Sequence, residues 1–229
     1  MAITWDEVGE HLYETGIDHV VLYRPDANGD YTDGVAWNGV TSLNETPSGA
    51  DPNPIWADNI KYLNLRSAEE FGATIECLQA PPEFFECDGV SEVAPGIYIY
   101  QQARLPFGLS YRTIVGNDLK QNDFGYKLHL MYNCTTSPSE KSYSTVNDSP
   151  ETSTLSYEIT TAPVVANGYK NTALITIDST QVAAASMTAL EDILYGRGEG
   201  QNVKARLPQP SEVFTTLGLT YNAETGKWS

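Results

Sequence analysis

Short segments with a two-residue alternation, separated by turn residues, constrain the fold of this chain more than any other feature. The clearest is Tyr126–Cys134, which places Leu128, Leu130 and Tyr132 on one side of a strand. The other candidate strands are His19–Tyr23, Val35–Leu43, Asn59–Leu65, Thr74–Leu78, Gly96–Tyr100, Gly108–Val115, Thr154–Thr161 and Ala173–Ile177. This pattern predicts a mostly β fold, a β-sandwich or open barrel with mainly antiparallel pairing.

One helix is predicted beside the sheet, over Ser179–Gly196, with Ser179 or Thr180 as its N-cap. The main row of its predicted apolar strip consists of Val182, Ala185, Ala189 and Ile193. Three further residues widen the strip: Met187, Leu190 and Leu194. Gly196 can end the helix, and Gly196–Gly200 is read as a flexible stretch. A short helical turn is predicted at Pro82–Cys87, and Leu207–Phe214 is read as a closing segment.

A length of 229 residues with no internal repeat and no low-complexity linker predicts a single domain, residues 1–229. Its most irregular part is Thr46–Pro54, which contains three prolines and a glycine. Because proline and glycine interrupt regular pairing, the sequence predicts a long loop near residues 44–58.

Charge and composition exclude several classes of protein. The formal net charge is −17, which argues against a general nucleic-acid binder because such a protein needs a basic face. The sequence has no apolar run long enough for a membrane span and no secretory signal, so we expect synthesis in the cytoplasm. Cys77, Cys87 and Cys134 lack metal-binding spacing and are expected to stay reduced.

No motif in the sequence predicts a catalytic centre, a metal site or a cofactor. The acidic turn Asp26–Asp33 resembles the start of a calcium loop, but its glycine is misplaced and Trp37 stands where the loop needs Glu. Carboxylate pairs such as Glu69 and Glu70 could serve glycoside hydrolysis, yet nothing fixes their separation. We therefore expect no enzyme.

The order of several segments identifies a family resemblance. They read LYETGID (12–18), GVAWNGVTSLNETPSGADPNPIWADNIKYLNLRSAEEFGATIEC (34–77), PPEFFECDG (81–89), GLSYRTIVGND (108–118), YKLHLMYNCTTSPSEKSYSTVNDSPETSTLSYEITTAPV (126–164), ALEDILYG (189–196) and LPQPSEVF (207–214). Through nearly its whole length, the chain resembles the major tail tube protein of long non-contractile-tailed bacteriophages. The most specific stretch is SPSEKSYSTVNDSPETSTLSYEITTAPV.

The resemblance implies a tail-tube fold, a β-sandwich with a flanking helix, whose hexameric rings stack into a hollow tube in the virion tail. It implies self-association, and contacts with the tape-measure protein, the tail terminator and the distal tail or baseplate proteins. Viral DNA would pass through the lumen without specific binding. The family supplies no catalytic motif, and no C-terminal immunoglobulin-like domain is expected here.

Two site hypotheses follow. The inner wall is predicted to include Arg66–Leu78 and Thr152–Thr161, with Glu69, Glu70 and Glu76 facing the lumen. The ring-stacking contact is predicted in the proline-bearing loop, at Asn44, Pro47, Asp51 and Pro54. The alternative function is an acidic β-sandwich that binds a receptor or carbohydrate at a virion tip or cell surface.

Overall fold

A computed structural model describes residues 3–143, 145, 152–197 and 203–229. Residues 198–200 of the predicted flexible stretch, and residues 144 and 146–151 of the most specific family-like segment, lie outside the described residues. The strands are β1 (Leu12–Pro25), β2 (Tyr31–Ala36), β3 (Val40–Glu45), β4 (Ser48–Gly49), β5 (Pro52–Ala57), β6 (Ile60–Arg66), β7 (Glu69–Glu70), β8 (Gly72–Cys77), β9 (Ser91–Ala94), β10 (Ile97–Ile99), β11 (Phe107–Asn117), β12 (Gln121–Thr136), β13 (Leu155–Thr161), β14 (Leu174–Asp178), β15 (Tyr221–Asn222) and β16 (Lys227–Trp228). The α-helices are α1 (Ala184–Tyr195) and α2 (Pro210–Thr216).

One eight-stranded antiparallel sheet dominates the fold, which is mostly β as the sequence predicted. Its strand order is β2-β1-β11-β12-β13-β8-β3, and β14 pairs with β12 beside this path. The long strand β12 meets β14 through Lys127–Met131 and meets β13 through Cys134–Thr136. Asn133 has a positive φ of 47° between the two pairings, so the strand bends where its partner changes.

The sheet separates two hydrophobic cores, which makes the molecule a sandwich with a helical layer outside it. Leu128, Leu130 and Tyr132 lie in a core with the helices, which confirms the alternation predicted for this strand. Met131 and Cys134 point to the other core, inside the sandwich. Both faces of β12 are therefore buried.

Aromatic rings fill the sandwich core. Phe84 is fully buried, and its ring centroid lies 4.4 Å from that of Trp37, 4.9 Å from that of Tyr157 and 5.5 Å from that of Phe107. Phe84 belongs to a single 3₁₀ turn, Pro82–Phe84, which confirms the predicted short helical turn. Such tilted and edge-on pairs stabilise a core beyond the area they bury.

Trp37 also explains a prediction that was wrong. The sequence predicted one strand over Val35–Leu43, but β2 ends at Ala36 and β3 begins at Val40. The Trp37 side chain is 3% exposed and donates its indole N–H to the carbonyl of Gln79 at 2.9 Å. Burying this ring turns the chain between the two strands.

Helix α1 begins later than predicted. Asp178 turns the chain first: its carboxylate accepts the backbone N–H of Thr180, and its carbonyl accepts that of Val182. The N-cap is Ala183, whose methyl side chain cannot accept a hydrogen bond, so the predicted N-caps Ser179 and Thr180 were wrong. The Ser179 hydroxyl instead accepts the backbone N–H of Tyr126.

The predicted apolar strip of this helix was partly wrong. Met187, Leu190 and Leu194 form the buried row, whereas Ala185 and Ala189 are exposed. The predicted row that contains Ala185 and Ala189 lies off the buried face, because the larger side chains decide which face of the helix is buried. Gly196 follows with a φ of +74°, as a helix-ending glycine does.

The prediction of a long loop near residues 44–58 was wrong, because strands β4 and β5 lie within that range. Pro52 starts β5 and Pro54 lies within it in a two-stranded ribbon, where each strand has one unpaired edge. Proline is compatible with an edge because its missing N–H need not face a partner.

Two further features concern the cysteines and the helices. All three cysteines are buried and free. Burial raises the pKa of the Cys87 thiol to about 12, which keeps it protonated. Within the residues the structure describes, no helix is long and apolar enough to cross a membrane.

Candidate assembly surfaces

A β-ribbon projects from the large sheet between β3 and β8. We call residues 46–71 the arm: it contains the short pair β4–β7 and then the hairpin β5–β6. Its two-residue turn is Asp58–Asn59, with φ values of 52° and 63°. Positive φ at both turn residues is typical of a type I′ hairpin turn. At roughly 3.3 Å per residue, the arm extends up to about 40 Å from Gly72.

A bend divides the arm into its base and its hairpin. Gly49 has a φ of +79°, and a Cβ there would lie 2.4 Å from the carbonyl oxygen of Ala68. Ala50 also has a positive φ, and its N–H is accepted by the Ser67 hydroxyl at 3.1 Å. Only glycine fits this close approach, so the bend is built into the sequence.

Both faces of the arm carry exposed apolar side chains. Ile55 and Leu63 pair across the strands, and Leu65, paired with Asn53 two positions further along, lies on the same face. Trp56 points to the opposite face and is 66% exposed. Ile60 and Tyr62 are exposed as well, at 60% and 64%. Burying one such side chain stabilises a contact by about 1.5–3 kcal/mol, so contact of the arm with another apolar surface would be favourable.

The predicted ring-stacking residues are divided by this geometry. Pro47, Asp51 and Pro54 lie on the arm and are exposed. Asn44 lies in the large sheet, where β3 pairs it with Thr74 of β8. Three of the four predicted residues therefore lie on the arm, and Asn44 belongs to a different surface.

That second surface is the outward face of β3, β8 and β13, which we call the polar face. Register pairs place Ser42, Glu76 and Ser156 in one row across it, and Asn44, Thr74 and Glu158 in the next. The Ser42 hydroxyl donates to a carboxylate oxygen of Glu76 at 2.9 Å. None of the three strands contains Lys or Arg, so the polar face carries two carboxylates without a cation in its strands.

The three acids predicted to face the lumen do not lie together. Glu76 is on the polar face, but Glu69 and Glu70 form β7 at the base of the arm, paired with Gly49 and Ser48. Glu158 also lies on the polar face: it falls within the predicted inner-wall range Thr152–Thr161 but was not named among the lumen-facing acids. The signal for it was present, since Leu155–Thr161 alternates apolar and polar residues, with Glu158 among the polar ones.

A titratable cluster closes the open end of the sandwich core. The His129 ring stacks on Tyr111, with 4.5 Å between centroids, and its nitrogens lie 3.9 Å and 3.7 Å from carboxylate oxygens of Glu14 and Glu45. Burial lowers the pKa of His129, opposed by the attraction of Glu45 and Glu14. The Tyr111 hydroxyl donates to Glu45 at 2.5 Å, which ties β3 to β11.

Glu14 holds the other side of this cluster. Burial raises its pKa, but hydrogen bonds from Lys127, at 2.6 Å, and from Thr113 outweigh burial, so the net pKa lies below its usual value. The cluster therefore joins four strands with ionic and neutral hydrogen bonds. Among the described residues, no three His, Cys, Asp or Glu side chains are arranged to hold a metal ion.

The large sheet also has unpaired edges. The outer edge of β2 is covered, because Gly34 donates to the carbonyl of Ala205 and Leu207 donates to that of Tyr31. Within the described ranges, β3 pairs only with β8, and β14 pairs only with β12. Open edges are sites where another chain can add a strand.

The apolar character of the arm was not recognised from sequence. The segment NIKYLNLR has large apolar residues at both alternating positions, Ile60 and Tyr62 on one and Leu63 and Leu65 on the other. A strand that is apolar on both faces is typical of burial on both faces. In the structure all seven residues of β6 are exposed instead.

Comparisons with known proteins give no more than a distant structural similarity. No protein-family model matches the sequence, and no curated protein matches it. A chain of a solved structure described as the cryo-EM structure of the anti-feeding prophage (AFP) baseplate, 6-fold symmetrised, is similar over 79% of this chain and 100% of its own length, at 10% identity and a TM-score of 0.37. At that TM-score the likeness supports no statement about function.

Proposed function

We propose that this chain is a structural virion protein whose copies form hexameric rings that stack into the hollow tail tube of a bacteriophage. The observation that carries the proposal is the arm: a β-ribbon that projects from the subunit with exposed apolar residues on both faces. A monomeric protein rarely leaves a large continuous apolar surface in water. A contact between two different surfaces of identical copies, repeated with a rotation, builds an open tube.

The open edges of β3 and β14 support the ring. Pairing of edge strands between neighbouring copies would remove them, as closure of a barrel does. Hydrogen bonding across such edges is independent of side-chain charge, so it can act in a subunit with a net charge of −17.

The polar face supports the conduit. With Glu76 and Glu158 and without a base in its strands, it offers phosphates no cation and therefore no counterion release. We propose that it lines the bore, so that DNA passes without binding. In this role the protein has no catalytic residues, and its partners are its own copies, the tape-measure protein, the terminator and the distal tail proteins.

The test is electron microscopy of the purified protein, alone and with its tape-measure protein. We expect rings or rods from the parent, and none from Trp56→Asp with Leu63→Asp, because each adds a charge to an arm face that must be buried. Val165→Asp is the matched control, since Val165 is also 66% exposed but lies off the arm. Parent protein that stays monomeric or trimeric beside its partner contradicts the proposal and favours a receptor-binding module.

A further inference from the structure

A second exposed apolar surface lies on the hairpin β9–β10. Its strands pair Ile97 with Ala94 and Ile99 with Ser91, and Pro95 with Gly96 makes the turn, Gly96 at a φ of +80°. Five apolar residues of this hairpin region are 40–64% exposed: Val93, Ile97, Tyr98, Ile99 and Tyr100. We call residues 91–100 the counter-hairpin.

The counter-hairpin and the arm lie at opposite ends of the subunit. The chain enters β8 from the arm at Gly72 and leaves it at Cys77 toward the counter-hairpin. The segment around the counter-hairpin is fixed to that far end, where Glu86 bonds Arg24 at 2.9 Å and Arg104 donates to the carbonyl of Thr136 at 3.0 Å. Two apolar surfaces at opposite ends suit a head-to-tail contact between copies.

Unpaired opposite charges lie on the two surfaces. The hairpin of the arm carries the exposed bases Lys61 and Arg66 beside the exposed acids Asp51 and Asp58, and neither base has an ion pair within the described part of the chain. Beyond the arm, the stretch 72–103 contains no Lys or Arg. Within the described residues, its acids Glu83 and Glu92 have no basic partner, unlike Glu86.

We propose that the arm of one copy docks on the counter-hairpin of a second copy, with Lys61 and Arg66 facing Glu83 and Glu92. This inference rests on the proposed function and specifies the receiving surface of its stacking contact. The apolar residues would exclude water from the contact, while the four charges set its register and orientation. A β-ribbon against a β-hairpin can also share edge hydrogen bonds.

Charge reversal tests the pairing. The arm variant is Lys61→Glu with Arg66→Glu. The variant of the receiving surface is Glu92→Lys on the counter-hairpin with Glu83→Lys, which lies beside it. Each alone sets like charges against each other, so we expect at least tenfold less polymer in a pelleting assay. Mixing the two variants restores opposite charges at every contact between unlike copies, and we expect polymer to return to within about twofold of the parent.

The controls separate docking from folding and from tube formation. Circular dichroism checks that each variant is folded, and Lys227→Glu, an exposed base elsewhere, should polymerise like the parent. If the parent polymerises and each reversed variant alone polymerises equally well, the docking proposal is wrong and the tube proposal stands. Reversed variants that stay monomeric even when mixed also overturn the charge pairing. A parent that forms no polymer contradicts both proposals.

Discussion

His129 is the residue whose protonation most directly affects the fold. Its imidazole is buried against Tyr111, and its two nitrogens lie within hydrogen-bonding distance of Thr113 and Thr176, at 3.0 Å and 3.2 Å. Burial lowers its pKa below 6.5 in the folded protein, although Glu45 and Glu14 pull the other way. The folded state therefore favours the neutral ring.

The lowered pKa of His129 predicts a loss of stability in mild acid. As pH falls through about 6.5, the unfolded chain binds a proton at this site and the folded protein does not, so the free energy of unfolding decreases. Above that pH both states are neutral and the contribution is constant. Urea unfolding at pH 7.5, 6.5 and 5.5 should show this fall in the parent and a smaller one in His129→Gln. An equally steep fall in His129→Gln would show that other groups govern this range.

At the scale of elements, the arm depends on its turn. Asn59 has a φ of +63°, where a β-branched residue is strained. Asn59→Val should therefore destabilise the β5–β6 hairpin by roughly 1–2 kcal/mol, and Asn59→Gly should stabilise it. Hydrogen exchange of the β5 and β6 amides measures both effects. Asn64→Val makes the same substitution inside β6, and protection as low as in Asn59→Val would contradict the turn as the cause.

Elements that fill a core were predictable from sequence, whereas the exposed arm was predicted only in part. The alternation of Tyr126–Cys134 placed β12 correctly because its Leu128, Leu130 and Tyr132 fill one core. The helix strip failed because small alanines gave the same spacing as the larger Met187 and Leu190. The first half of the arm was read as a loop because its prolines are compatible with a ribbon edge, which local patterns do not reveal. The predicted strand Asn59–Leu65 is confirmed by β6.

At the scale of the whole molecule, the polar face predicts how DNA would move. Glu76→Lys with Glu158→Lys would place two cations per subunit on it, and each neutralised phosphate releases counterions. We expect tubes of normal appearance in micrographs but slower DNA delivery from virions that carry them, most clearly at low salt. Glu224→Lys, on the exposed turn between β15 and β16, is the matched control. Unchanged delivery would place the bore on another face.

The net charge of −17 per copy predicts how the proposed assembly depends on salt. Like charges would hold free copies apart, whereas the apolar surfaces of the arm would favour association. Salt screens the repulsion, since the Debye length falls from about 30 Å at 0.01 M to about 8 Å at 0.15 M, and it strengthens apolar burial little over that range. Light scattering should therefore show polymer growing faster with added NaCl, and no growth at either concentration for Trp56→Asp with Leu63→Asp. Growth that slows with salt would mean that attraction between opposite charges, rather than burial of the arm, drives assembly.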